Sequence, residues 1–192
     1  ETELLAAAHP ALGTEGVEIE LRNVFRRLFE EKGVPVSATQ VEDTAVLFRL
    51  LSFSRKPRLM KGVKRTLTGL HQQGARLYLL SNAQSCFTIP ELRRLGLLNG
   101  IFDGIYLSSD FGSKKPFPAF FNAALAQAGL SGTEVLMVGN DPTADIHGAD
   151  IVCLGFVQHV RILAESRQHL HDTAERPQFL DLFKLLQHIV HG

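Results

Sequence analysis

Two carboxylates, Asp141 and Asp145, stand four residues apart just beyond an apolar run, Val135 to Val138, that stops at Gly139. Four apolar residues in succession suit a strand buried on both faces, as in a parallel sheet. The carboxyl end of such a strand is where open α/β sheets place their ligand crevice. Two anions at that spacing repel, so they need a cation or a shared proton. Magnesium (Mg2+), which takes one or two protein carboxylates and keeps waters for a phosphate, is the cation that suits them. The plainer alternative is a pair of acids answering the dipole at a helix N-terminus, with no metal.

Two other runs carry side chains that chemistry uses. Ser81-Asn82-Ala83-Gln84 follows an apolar stretch, and a hydroxyl and an amide at a strand end can hold an anion alongside backbone N–H groups. Ser and Asn are also ordinary helix caps. Lys114-Lys115-Pro116 offers a compact positive charge for a phosphoryl group or for two crowded carboxylates. Lys115, whose backbone the proline restrains, is the better candidate; a solvated loop lysine is the alternative. His147, two residues past Asp145, faces away from it on a helix, and the other seven histidines show no ligand spacing.

Placing these residues together takes a sheet. Residues 1–56 read as helix and loop: Leu21, Val24, Phe25, Leu28 and Phe29 make one amphipathic stripe that Gly33 ends, and a second helix spans about Ala38 to Phe53. After Pro57 the pattern alternates. Helices are expected at Val63–Gln72, Pro90–Leu95, Pro118–Ala128 and Thr143–Ala149, with a closing one at Phe179–Val190. Strands are expected at Arg76–Leu80, Ile105–Leu107, Val135–Val138 and roughly Val152–Val157. Such alternation predicts an α/β fold, a parallel sheet sandwiched by helices.

Composition narrows the function. The 192 residues carry 20 basic and 20 acidic side chains and no basic tract, which argues against nucleic acid as a partner. No apolar run reaches the ~20 residues that span a bilayer, so no membrane is expected. Cys86 and Cys153 are too few for a disulfide framework or a zinc site, and free thiols in a cytoplasmic location are the expectation. The acidic start, Glu1-Thr2-Glu3, reads as a chain entered partway along. Nothing in the sequence specifies an oligomeric state.

In order, the strand with Ser81-Asn82, then Lys115-Pro116, then the strand with Gly139-Asn140-Asp141 and Asp145 resemble the haloacid dehalogenase-like (HAD) hydrolase superfamily. The resemblance covers about Leu59 to Val160 and includes Gly62-Val63-Lys64, Leu95-Gly96-Leu97, Phe102-Asp103 and Ser108-Ser109-Asp110. It implies a Rossmann-like core over residues 57–192 and a small helical cap over 1–56. It implies that Ser81 and Lys115 are catalytic and, with Asn82, bind the phosphoryl group, and that Asp141, aided by Asp145, holds magnesium. Asn140 stands where many members carry an acid, and Phe117 where an acid often follows Lys-Pro.

The family's first motif, Asp-x-Asp at the end of a central strand, occurs nowhere in these residues. Asp103-Gly104-Ile105 lacks the second acid. A central strand cannot be removed without orphaning two rows of backbone donors and acceptors. The expectation is therefore a further N-terminal segment of a few tens of residues, and a gap or another segment between the Arg76–Leu80 and Val135–Val138 strands. The resemblance implies a magnesium-dependent phosphatase of a small phosphorylated metabolite, working through an aspartyl-phosphate. The alternatives are a metal-independent haloacid dehalogenase and a catalytically inactive binding domain of the same fold.

Overall fold

Glu20 starts the first long helix from just outside it, its carboxylate accepting the Arg22 N–H at 3.1 Å. The computed structural model describes residues 2–3, 7, 16–52, 57–139 and 141–152. Helix α1 (Leu21–Glu31) ends where Gly33, at φ 65°, lets the Val34 N–H turn back to the Phe29 carbonyl. Helix α2 (Ala38–Ser52) lies against it and buries Val41 and Ala45. Helix α3 (Val63–Gln72) follows and buries Val63 and Leu67.

Strands β1 (Tyr78–Ser81) and β2 (Gly104–Leu107) pair in parallel, Tyr78 opposite Gly104 and Ser81 opposite Leu107. Between them runs helix α4 (Ser85–Leu95); after them come α5 (Ser108–Phe111) and α6 (Pro118–Ala128). Successive strand residues face opposite sides of the sheet. Leu79 and Ile105 pack on a cluster of Val63, Leu67, Leu92, Leu97 and Ile101, from α3, α4 and the loop after α4. Their neighbours Tyr78, Leu80 and Tyr106 pack on the other side with Phe120 and Ala124 of α6. Helices thus cover both faces of a parallel ladder, the expected α/β arrangement.

Several expectations shift. The first strand begins at Tyr78, because Leu77, opposite Asp103, donates its N–H to the Asp103 carboxylate in place of a backbone carbonyl, while its own carbonyl accepts the Asp103 N–H. Helix α4 begins at Ser85, not at Pro90, because the buried Ser109 hydroxyl accepts the Ser85 N–H and fixes the first turn. Pro90 is carried inside, at the loss of one helical hydrogen bond. Residues 135–138 form no ladder with any described residue, although Val138 packs on the first core cluster. Pairing directly to β1 was not expected, since another strand should stand between them. The helix expected at Thr143–Ala149 is present, longer at both ends: it opens as a π-helix, Pro142–His147, in which the Ile146 N–H reaches the Asp141 carbonyl, and continues as α7 (Gly148–Val152). Val152 closes that helix; the remainder of the expected last strand, Cys153 and the expected Phe179–Val190 helix lie outside the described residues. No helix among the described residues is long and apolar enough to cross a membrane.

Candidate active site

Ser81 is the last residue of β1 and is 9% exposed, and its hydroxyl makes no hydrogen bond to the described residues. The loop after it is held by side chains from three directions. Ala83 N–H donates to the Ser108 hydroxyl at 2.9 Å, and that hydroxyl donates to the Glu18 carboxylate at 2.9 Å. The Gln84 amide donates to the Ile19 carbonyl and accepts the Leu21 N–H. Ser85 accepts a hydrogen bond from the Arg22 guanidinium at 2.7 Å. A strand end held in this way keeps its backbone N–H groups where an anion can reach them.

Lys115 is the buried cation of the site, 8% exposed. Its ammonium donates to the Leu80 carbonyl at 3.0 Å and to the Asp145 carboxylate at 2.5 Å. An ammonium has three protons, so one remains for another acceptor. Asp145, 6% exposed, also accepts the Asp141 N–H through its second oxygen at 3.0 Å. Asp141 caps the turn that follows, one oxygen accepting the Thr143 and Ala144 N–H groups. One connected path thus runs from the residue before Ser81 through Lys115 and Asp145 to Asp141. Removing either member of the Lys115–Asp145 pair would leave a buried charge uncompensated, a loss of about 3–5 kcal/mol.

Four of the five residues singled out in the sequence therefore share a hydrogen-bonded assembly: Asn82, Lys115, Asp141 and Asp145. Ser81 adjoins it through the backbone. The two aspartates differ in situation. Asp145 spends its oxygens on Lys115 and on the Asp141 N–H, whereas Asp141 is exposed and its Oδ2 makes no hydrogen bond to the described residues. No group of three His, Cys, Asp or Glu side chains that could hold a metal occurs among the described residues. Magnesium takes one or two carboxylates from protein, and Asp141 Oδ2 is the oxygen of this pair that no described residue occupies. Asn140 lies outside the described residues.

Sequence reasoning missed Glu18, Arg22, Gln84, Ser108 and Ser109 as parts of the support. Ser108-Ser109 directly after a strand was the available signal, since buried hydroxyls need partners.

The haloacid dehalogenase-like hydrolase family matches residues 14–155, and the chain belongs to it. A ribulose-1,5-bisphosphate 5-phosphatase of Halopiger xanaduensis is 34% identical over 96 residues, 50% of this chain and 40% of that protein. A phosphoglycolate phosphatase of Pectobacterium atrosepticum is 31% identical over 153 residues, 76% of this chain and 64% of that one. The chain thus spans between two-fifths and two-thirds of the length of these relatives. In fold it is similar to the crystal structure of a 2-haloacid dehalogenase from Pseudomonas syringae, with a TM-score of 0.50 and 24% identity over 78% of this chain and 62% of that one.

Proposed function

We propose that this chain carries the phosphoryl-holding half of a magnesium-dependent phosphatase acting on a small phosphorylated metabolite, with residues 1–56 as cap and 57–192 as core. The observation that carries the reading is the buried Lys115 ammonium, shared between Asp145 and the carbonyl next to Ser81, with a proton to spare. A buried cation beside an unpartnered hydroxyl is a site prepared for an anion. The two relatives named above act on different sugar or acid phosphates, which supports the class of substrate and no single member of it.

In this reading the Ser81 hydroxyl and the Asn82 N–H donate to the phosphoryl oxygens, and Lys115 balances charge that builds on them. Asp141 would hold magnesium, which when bound spreads the negative charge of the transferring group. Asp145 holds the Lys115 ammonium in place and fixes the Asp141 backbone. Covalent phosphoryl transfer, in which a carboxylate attacks phosphorus and water later clears the phosphoaspartate, needs an attacking group that no Asp-x-Asp in these residues provides.

The test is made on the polypeptide as its gene encodes it, with p-nitrophenyl phosphate as a generic ester. Turnover should require magnesium, stop with EDTA, and fall at least ~10²-fold in Asp141→Ala. Turnover that survives both EDTA and Asp141→Ala overturns the metal assignment. Halide release from a 2-haloacid with no phosphate release from any ester overturns the phosphatase reading.

A further inference from the structure

We propose that the Asn82 side chain is a positioning residue for Lys115, binding Lys115 to β1 so that Ser81 and Lys115 act as one rigid clamp. The inference rests on the phosphatase reading for its catalytic consequence, and on geometry alone for its structural one. The Asn82 amide oxygen accepts the Lys115 N–H at 2.7 Å, and the amide nitrogen donates to the Lys115 carbonyl at 2.8 Å. Both backbone groups of a single residue are thereby taken by one planar side chain, in the manner of a strand neighbour. Two such bonds restrict φ and ψ of Lys115 and so fix where its side chain leaves the backbone.

The far end of the same lysine is fixed from the same strand end. Leu80, two residues before Asn82, accepts from the ammonium at 3.0 Å. Lys115 is therefore gripped at its root by Asn82 and at its tip by Leu80, with Ser81 between the two grips. A lysine side chain has four rotatable bonds, and an ammonium on a loose stem would sample many positions. Held at both ends, it keeps one separation from the Ser81 hydroxyl. The Asn82 oxygen and one of its amide protons are spent on Lys115, which leaves the backbone N–H and the second amide proton for an anion.

Two measurements on the gene-encoded polypeptide test this. The first is a double-mutant cycle with p-nitrophenyl phosphate. Asn82→Ala should lower kcat about 10²-fold, the order expected when a reacting group is misplaced by about 1 Å, with a smaller change in KM. In a Lys115→Met background the same substitution should change kcat less than about threefold, because the residue it serves is gone. An equal loss in both backgrounds overturns the proposal, since Asn82 would then act on substrate or on the fold. The second is 15N NMR of the buried Lys115 ammonium, assigned by its absence in Lys115→Met. Asn82→Ala should shift and broaden it, and an unchanged signal overturns the proposal. If the unsubstituted protein hydrolyses no ester but its ammonium signal still responds to Asn82→Ala, positioning stands and the phosphatase reading falls alone. Should Asn82→Ala not fold, Asn82→Asp keeps the volume and the acceptor while losing the donor, and it faces the same two measurements with the same outcomes.

Discussion

Cys86, the second residue of α4, is 1% exposed, and its thiol is pushed up to about 11 by burial, reinforced by the nearby Glu20 carboxylate. Only the thiolate is a nucleophile, so this cysteine is inert near neutral pH despite being free. Iodoacetamide at pH 8 should leave the Cys86 peptide unmodified in the native protein and label it readily in urea. Equal labelling in both overturns this. The same shift has a consequence for stability. The folded state holds the proton more tightly than the unfolded chain, whose thiol titrates near the ordinary 9.0. The stabilisation is therefore complete below pH 9 and is lost as pH rises from there towards 11. Residues of this kind mark where the sequence stops being informative. That Lys115, Asp145 and Asp141 lie together was legible because residue type and spacing at strand ends single them out. Cys86, Gln84 and Ser108 take their roles from whichever segments fold beside them, and no local pattern records that.

At the level of elements, the segment 135–139 shows what local pattern can and cannot say. Its apolar run does point Val138 into the core, but a ladder needs a partner, and no described residue supplies one. Gly139 is required by proximity. A Cβ there would fall on the Asp145 side chain, the group that holds Lys115. Gly139→Ala should therefore destabilise the protein by about 1–3 kcal/mol, the usual effect of forcing an atom into a packed site. Urea unfolding should show a lower midpoint with an unchanged slope. A midpoint equal to that of the parent would show that Asp145 moves aside freely. Helix α4 makes the complementary point. Its proline suggested a start at residue 90, whereas the start is set by hydroxyls on the Ser108-Ser109 pair, more than twenty residues away in sequence. Helix α6 was legible to the residue, because Pro118 at its first position and Gly129 after its last are purely local signals.

At the scale of the molecule, α4 is the platform on which the first two helices rest. Arg22 on α1 reaches the Ser85 hydroxyl at 2.7 Å and lies 3.7 Å from the Asp110 carboxylate. Arg49 on α2 pairs with Glu91 at 2.8 Å and covers the Phe87 ring, against which Phe48 also stacks. Each pair is partly solvated, so each contributes only up to about 1 kcal/mol. Together they set how readily α1 and α2 leave the sheet-bearing part. In Arg22→Met/Arg49→Met, amide hydrogen exchange in α1 and α2 should quicken roughly tenfold while that of α3 and β1 stays unchanged. Uniform acceleration throughout would mean that the two parts open as one. None of these cross-segment pairs has a sequence signature, whereas the alternation of helix and strand that builds the sandwich was visible from Val63 onward.

The four residues from Asn82 to Ser85 address three separate stretches of chain: Asn82 takes Lys115, Ala83 and Ser85 take the Ser108-Ser109 hydroxyls, and Gln84 and Ser85 take residues 19–22. The architecture constrains length there as well as composition. One inserted residue would displace the loop by about 3.3 Å and put all of these attachments out of register at once. This turn thus works as a gauge, against which three separately encoded parts of the protein are measured.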